Sequence, residues 1–162
     1  MEWIKIIIGI AGVVFILCFL QGCSKMKAIN SSSSYFLKGD KVVYSYKQSK
    51  LLMGENEVKG ADIATFTPLN DFFAKDKNSV YWHSSKIEEA DPDSFEFLPD
   101  SKYQGSFSDY YTKDKLHFFY KTKILKSVDA DSFVIHGYNA KDKVYLYCKG
   151  KIFDRSERQI CP

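Results

Sequence analysis

Residues Phe72 to Leu98 read FFAKDKNSVYWHSSKIEEADPDSFEFL. An aromatic pair leads into the charged step Lys75-Asp76-Lys77. A β-branched and aromatic run follows, and Ala90 to Phe95 closes the stretch as ADPDSF. The same order returns further along the chain. Tyr110-Tyr111-Thr112-Lys113-Asp114-Lys115 and Tyr138-Asn139-Ala140-Lys141-Asp142-Lys143 repeat the first half, and Tyr35-Phe36-Leu37-Lys38-Gly39-Asp40-Lys41 is a looser copy. The second half recurs as Val128 to Phe133 (VDADSF) and, more faintly, as Ala61 to Phe66 (ADIATF). Asp76 precedes Phe95 by 19 residues, and Asp114 precedes Phe133 by the same 19. A fixed internal spacing marks a repeated structural unit. The unit itself recurs at intervals of 36, 38 and 28 residues from Asp40 onward, so the array is degenerate and its last member is short.

Each unit is legible as β structure. The runs VVYSY, VYWH, FFYK and VYLY suit half-buried strands. Polar gaps of hairpin length follow three of them, at Ser84-Ser85, Thr122 and Lys149-Gly150. The ADPDSF-type segment reads as a turn whose Asp and Ser side chains bond nearby backbone N–H groups, with Pro92 pre-setting the backbone. A third short strand is expected after it, at Glu96 to Leu98 and at Val134 to Ile135. No long stretch after the N-terminal apolar run carries a helical period. The fold class is therefore all-β: an antiparallel array of about four degenerate hairpin-plus-strand repeats behind a cleaved N-terminal signal and lipid anchor.

That anchor is read from the first residues. Ile6 to Leu20 is an apolar run of 15 residues, against the roughly 20 that a membrane-spanning helix needs. Behind the charged start MEWIK it fits the apolar region of an export signal. Leu20-Gln21-Gly22-Cys23 resembles the bacterial lipobox, which implies lipidation of Cys23. Residues 1–22 are thus read as a lipoprotein signal peptide, 23–34 as the lipidated Cys and a flexible tether, and 35–162 as the repeat domain. Acyl chains at Cys23 would hold the chain at a membrane. Ser24 in the following position favours the outer membrane in a Gram-negative cell, with the domain facing the periplasm or exterior. The net charge of +3 is spread without a basic block, which argues against nucleic-acid binding. Cys148 and Cys161, 13 residues apart, are expected to form a disulfide in that oxidising setting.

The motif D-K-N-S-V-Y-W at Asp76 to Trp82, with its relatives D-K-L-H-F-F-Y and D-K-V-Y-L-Y, resembles the DKNYY family. That resemblance runs from about Tyr35 to Ile152 and implies an exported or lipid-anchored bacterial repeat protein. It implies no catalytic residue, because the family carries no assigned activity.

Candidate chemistry is sparse. His83, His117 and His136 fall at different repeat positions, so the repeat does not gather them, and no metal site or cofactor is expected. Asp91-x-Asp93-Ser94 and Asp129-x-Asp131-Ser132 lack the further ligands and Gly of a calcium loop and read as capped turns. The Lys-Asp-Lys steps read as solvated charges at strand edges, which discourage edge-to-edge pairing. There is no G-x-S-x-G and no phosphate-binding loop. The aromatics, 26 of 162 residues, exceed what one small core needs, and Tyr is favoured at binding surfaces. These features point to a non-catalytic envelope lipoprotein with a binding or structural role toward an envelope protein or glycan. The alternative is a periplasmic immunity or inhibitor-type protein.

Overall fold

The computed structural model describes residues 26–47, 52–102, 107–154 and 161. Among them there is no helix, and sixteen short strands form four antiparallel sheets of four strands each. Sheet I holds β1 (Met26–Ala28), β2 (Tyr35–Lys38), β3 (Lys41–Lys47) and β4 (Met53–Glu57). Sheet II holds β5 (Thr67–Pro68), β6 (Phe73–Lys75), β7 (Val80–Trp82) and β8 (Ser85–Ile87). Sheet III holds β9 (Glu96–Pro99), β10 (Phe107–Lys113), β11 (Phe118–Tyr120) and β12 (Lys123–Leu125). Sheet IV holds β13 (Val134–His136), β14 (Asn139–Lys141), β15 (Tyr145–Cys148) and β16 (Lys151–Asp154). In every sheet the strands pair in chain order, so each is a simple meander.

The repeat count and the all-β class match the sequence reading, but the unit differs in two respects. First, it contains four strands rather than three. Phe73–Lys75, Phe107–Lys113 and Asn139–Lys141 are strands in their own right, paired across the Lys-Asp-Lys step to the run that follows. Second, the ADPDSF-type turn leads into the next sheet instead of joining a hairpin to a third strand of the same unit. The stretch assigned to the tether also contributes to the domain: Met26–Ala28 forms the exposed edge strand β1, and Ser32 Oγ accepts the N–H of Tyr35 at 3.0 Å. The signal and Cys23 lie outside the described residues.

The core is built between sheets. Tyr35, Val42 and Tyr44 of sheet I pack with Ala74 and Tyr81 of sheet II. Phe73, Val80 and Ile87 of sheet II pack with Phe119 of sheet III. Tyr111, Tyr120 and Leu125 of sheet III pack with Ile135, Ala140 and Tyr147 of sheet IV. Along β6, Phe73 faces sheet III and Ala74 faces sheet I; along β7, Val80 faces sheet III and Tyr81 faces sheet I. That is the period-2 alternation of a strand with both faces covered. A small residue lies directly opposite a large ring in three sheets: Ala74 with Tyr81, Thr112 with Phe119 and Ala140 with Tyr147. The small partner lets the ring lie across the strand pair.

Two left-handed positions recur and set the turns. His83, Lys121 and Lys149 each open the tight turn after the second central strand, with φ of 56°, 56° and 50°. Each donates its N–H to the carbonyl of the aromatic residue that starts the unit, Phe72, Tyr110 or Tyr138. Further on, Gly60, Glu89 and Ser127 hold φ of 77°, 62° and 56° three residues or fewer before the linker turn. Only the first copy uses glycine, the residue that adopts this backbone without steric cost. Glu89→Gly and Ser127→Gly should therefore each raise stability by about 0.5–1 kcal/mol, the left-handed cost removed less the added chain entropy. Chemical denaturation checks this, and an equal or lower midpoint in both variants contradicts it.

Candidate functional site

The acidic residues of the repeat form three copies of one arrangement, and it is structural. Asp76, Asp114 and Asp142 are buried rather than solvated, at 3%, 7% and 2% exposure, which corrects the sequence reading of the Lys-Asp-Lys steps. Oδ1 of Asp76 accepts the N–H groups of Asn78 and Ser79, both at 2.8 Å, and so closes its own hairpin. Oδ2 accepts the N–H of Asp62 at 2.8 Å, reaching back to the linker turn that enters the sheet. Asp114 takes the N–H groups of Leu116 and His117 and, through Oδ2, that of Asp91. Asp142 takes those of Val144, Tyr145 and Asp129. A tyrosine five residues on adds a fourth donor in two copies: Tyr81 Oη to Asp76 and Tyr147 Oη to Asp142, each at 2.9 Å. In sheet III that position is Phe119, which has no hydroxyl.

The flanking residues complete each clasp. Lys77, Lys115 and Lys143 extend their ammonium groups to Asp62, Asp91 and Asp129 at 2.6, 2.9 and 2.5 Å. Their backbone N–H groups bond Thr65, Ser94 and Ser132 of the same turns. Ser94 and Ser132 hydroxyls in turn donate to Asp91 and Asp129, both at 2.7 Å. The Asp-rich turns are thus capped and ion-paired as an ordinary turn requires. Among the described residues no group of three or more His, Cys, Asp or Glu could hold a metal ion.

Proton affinities follow the same geometry. Ser94, then Lys115, lower the Asp91 carboxyl to about 2. Lys77 lowers Asp62, and Lys143 with Ser132 lowers Asp129. Burial pushes Asp114 and Asp142 upward, yet the backbone donors outweigh it and both end below the ordinary value. The tyrosine side moves the opposite way: burial, then the Asp76 carboxylate, pushes Tyr81 up to about 12.

A second arrangement runs across the sheets rather than within them. Tyr46 stacks on Tyr44 in sheet I with centroids 6.4 Å apart, and Tyr44 stacks on His83 of sheet II at 4.5 Å. His83 lies flat on Trp82 at 3.8 Å. Lys121 Nζ of sheet III sits 4.9 Å over Trp82 and 5.4 Å from Tyr110, which meets Tyr138 of sheet IV at 4.7 Å. One aromatic and cationic ladder therefore joins all four sheets along the turn edge. Burial, then the charge of Lys121, lowers the His83 pKa, so its ring is neutral at neutral pH. Sequence reasoning placed His83 alone at a strand end. The left-handed turn is what swings it between Tyr44 and Trp82.

The other residues singled out in the sequence are dispersed. His117 Nδ1 lies 3.6 Å from Asp114 Oδ1 at the sheet III clasp, and His136 is exposed on β13. Cys148, at the end of β15, is bonded to Cys161 with Cα atoms 5.3 Å apart. A cross-link of that loop length stabilises by roughly 3 kcal/mol.

With the buried Asp, the Lys that follows it and the aromatic run in place three times over, the decisive comparison is with the DKNYY family, whose profile matches residues 35–158. The chain belongs to the DKNYY family. No curated protein matches it, and no solved structure matches it. Within this DKNYY chain the eponymous D-K step is the clasp itself, and the aromatic positions after it fill the seams between sheets.

Two outcomes follow from the clasp. An unfolded Asp titrates near 3.8–3.9 and the carboxyls of Asp91, Asp114 and Asp142 titrate lower in the fold, so their contribution is fully present above about pH 5 and is lost as pH falls toward about 2. The melting temperature should ease down below about pH 6.5, where His83 takes up a proton more readily on unfolding, and fall steeply below about 4; a midpoint sustained at pH 2.5 contradicts the clasp. Asp142→Asn turns an amide NH₂ toward the N–H of Asp129, or loses the two turn donors if flipped. It should cost about 2–3 kcal/mol, whereas Phe119→Tyr, which supplies the missing hydroxyl to Asp114, should gain about 1 kcal/mol. Urea midpoints for the two variants, moving in opposite directions, check the pair.

Proposed function

We propose that the protein is a non-catalytic lipoprotein of the cell envelope, anchored through Cys23, whose β-repeat domain binds an envelope partner. The observation that carries the reading is the division of labour between the two arrangements above. The three buried carboxylates of the repeat, Asp76, Asp114 and Asp142, which would be natural acid–base groups, are each consumed by backbone N–H donors. A buried carboxylate already accepting several N–H bonds is a poor general base, since proton uptake forfeits those bonds. The aromatic and cationic ladder, in contrast, presents Tyr46 and Tyr138 at 38% and 53% exposure along one edge of the whole array. Exposed tyrosines on a rigid sheet framework are the common currency of binding surfaces. The Cys148–Cys161 bond suits an oxidising compartment outside the cytoplasm, and the Leu20 to Cys23 motif suits lipid attachment.

Anchor and binding are tested separately. Metabolic labelling with an alkyne analogue of palmitate should mark the wild-type chain and leave Cys23→Ser unmarked; label persisting on the variant overturns the anchor. The unlipidated Cys23→Ser chain should still co-sediment with detergent-washed envelope. If it stays wholly in the supernatant, the binding role fails.

A further inference from the structure

We infer that the hollow at the turn edge between sheets I and II is a binding site for an uncharged sugar ring, the unit of an envelope glycan; this rests on the binding role proposed above and names its ligand class. The hollow encloses about 320 Å³. Its walls are the rings of Tyr44, Tyr46, Trp82 and His83, and its rim carries Asn56, Ser84 and Ser85. His83 is covered by Tyr44 and Trp82, so the exposed ring is that of Tyr46; beside the amide and hydroxyl groups of the rim it offers what a pyranose needs, an apolar surface for its C–H face and several groups to bond its hydroxyls.

The neighbouring seam shows why the ligand is neutral rather than cationic. Between sheets II and III the corresponding aromatic space is taken by the chain's own cation, Lys121, over Trp82, Tyr110 and Tyr120. Trp82 is common to both spaces, so a second cation would face Lys121 through one ring. No carboxylate is among the described lining residues, and the chain itself carries a net +3. An anion would gain from Lys121 only across the indole. A neutral, hydroxyl-rich ring meets none of these penalties.

The backbone also holds the wall open. Tyr46 pairs with Gly54 across β3 and β4, and a Cβ at Gly54 would collide with the Tyr46 ring. The ring therefore lies over the glycine, half-exposed, at the mouth of the hollow.

The test uses the full-length chain in detergent with three probes: the N-acetylglucosamine tetrasaccharide, maltotetraose and choline. Calorimetry and ligand-detected NMR should report millimolar binding of at least one tetrasaccharide, the strength that one covered ring and a few hydrogen bonds give. Tyr46→Ala and Gly54→Val should each weaken it about ten-fold or more, while Leu116→Ala, on an exposed turn elsewhere, should leave it unchanged. Near-UV circular dichroism confirms that each variant is folded. Binding of choline alone, of neither sugar, or equal sugar binding by Tyr46→Ala overturns the assignment. Envelope co-sedimentation that persists without sugar binding discards the sugar site and leaves the binding role standing; loss of both discards both.

Discussion

The structure depends on a single buried carboxylate, used three times. Asp76, Asp114 and Asp142 each accept the two N–H groups of a hairpin turn on one oxygen and the N–H of a linker turn on the other. Turns this tight leave several N–H groups pointing inward with no strand to receive them. A carboxylate satisfies them more strongly than a neutral acceptor would, because charge-assisted hydrogen bonds are about twice as strong. The cost of burying the charge is met by the number of donors and by the lysine paired to the neighbouring turn.

The clasp matters beyond its own sheet because of the phenylalanine at the end of each linker turn. Phe66, Phe95 and Phe133 lie in the seams between sheets I and II, II and III, and III and IV respectively. Fixing the turn by its Asp fixes where that ring enters the seam. Buried tyrosines then join adjacent sheets directly. Tyr35 Oη donates to the carbonyls of Phe72 and His83, and Tyr111 Oη to those of Tyr138 and Tyr147. The spacing between sheets is thereby set, and with it the spacing of the turn-edge rings from Tyr46 to Tyr138. The ladder is a consequence of the stacking and needs no repeated motif of its own.

Much of this was legible in the sequence, and the parts that were not share a cause. The repeat, the β class and the capped ADPDSF turns follow from local pattern, since period-2 alternation and turn chemistry act over a few residues. The strands at Phe73–Lys75, Phe107–Lys113 and Asn139–Lys141 were missed because each runs straight into a charged step that reads as a loop. The Lys-Asp-Lys aspartates read as solvated for a related reason. Their burial depends on N–H donors 13 to 23 residues upstream, at Asp62, Asp91 and Asp129. Met26–Ala28 is short and exposed, so only its pairing with β2 makes it a strand.

By itself the sequence determined the number of units, their all-β character and the residues that would cap their turns, because those are local matters of spacing, propensity and hydrogen-bonding inventory. Only the tertiary structure decided which aspartates are buried, where each unit begins, and that His83, Trp82 and Lys121, taken from two sheets and unrelated in type, lie on one line. The physical reason is that a carboxylate's environment and a ring's neighbour are set by backbone that is distant in sequence, and neither leaves a periodic trace in the chain.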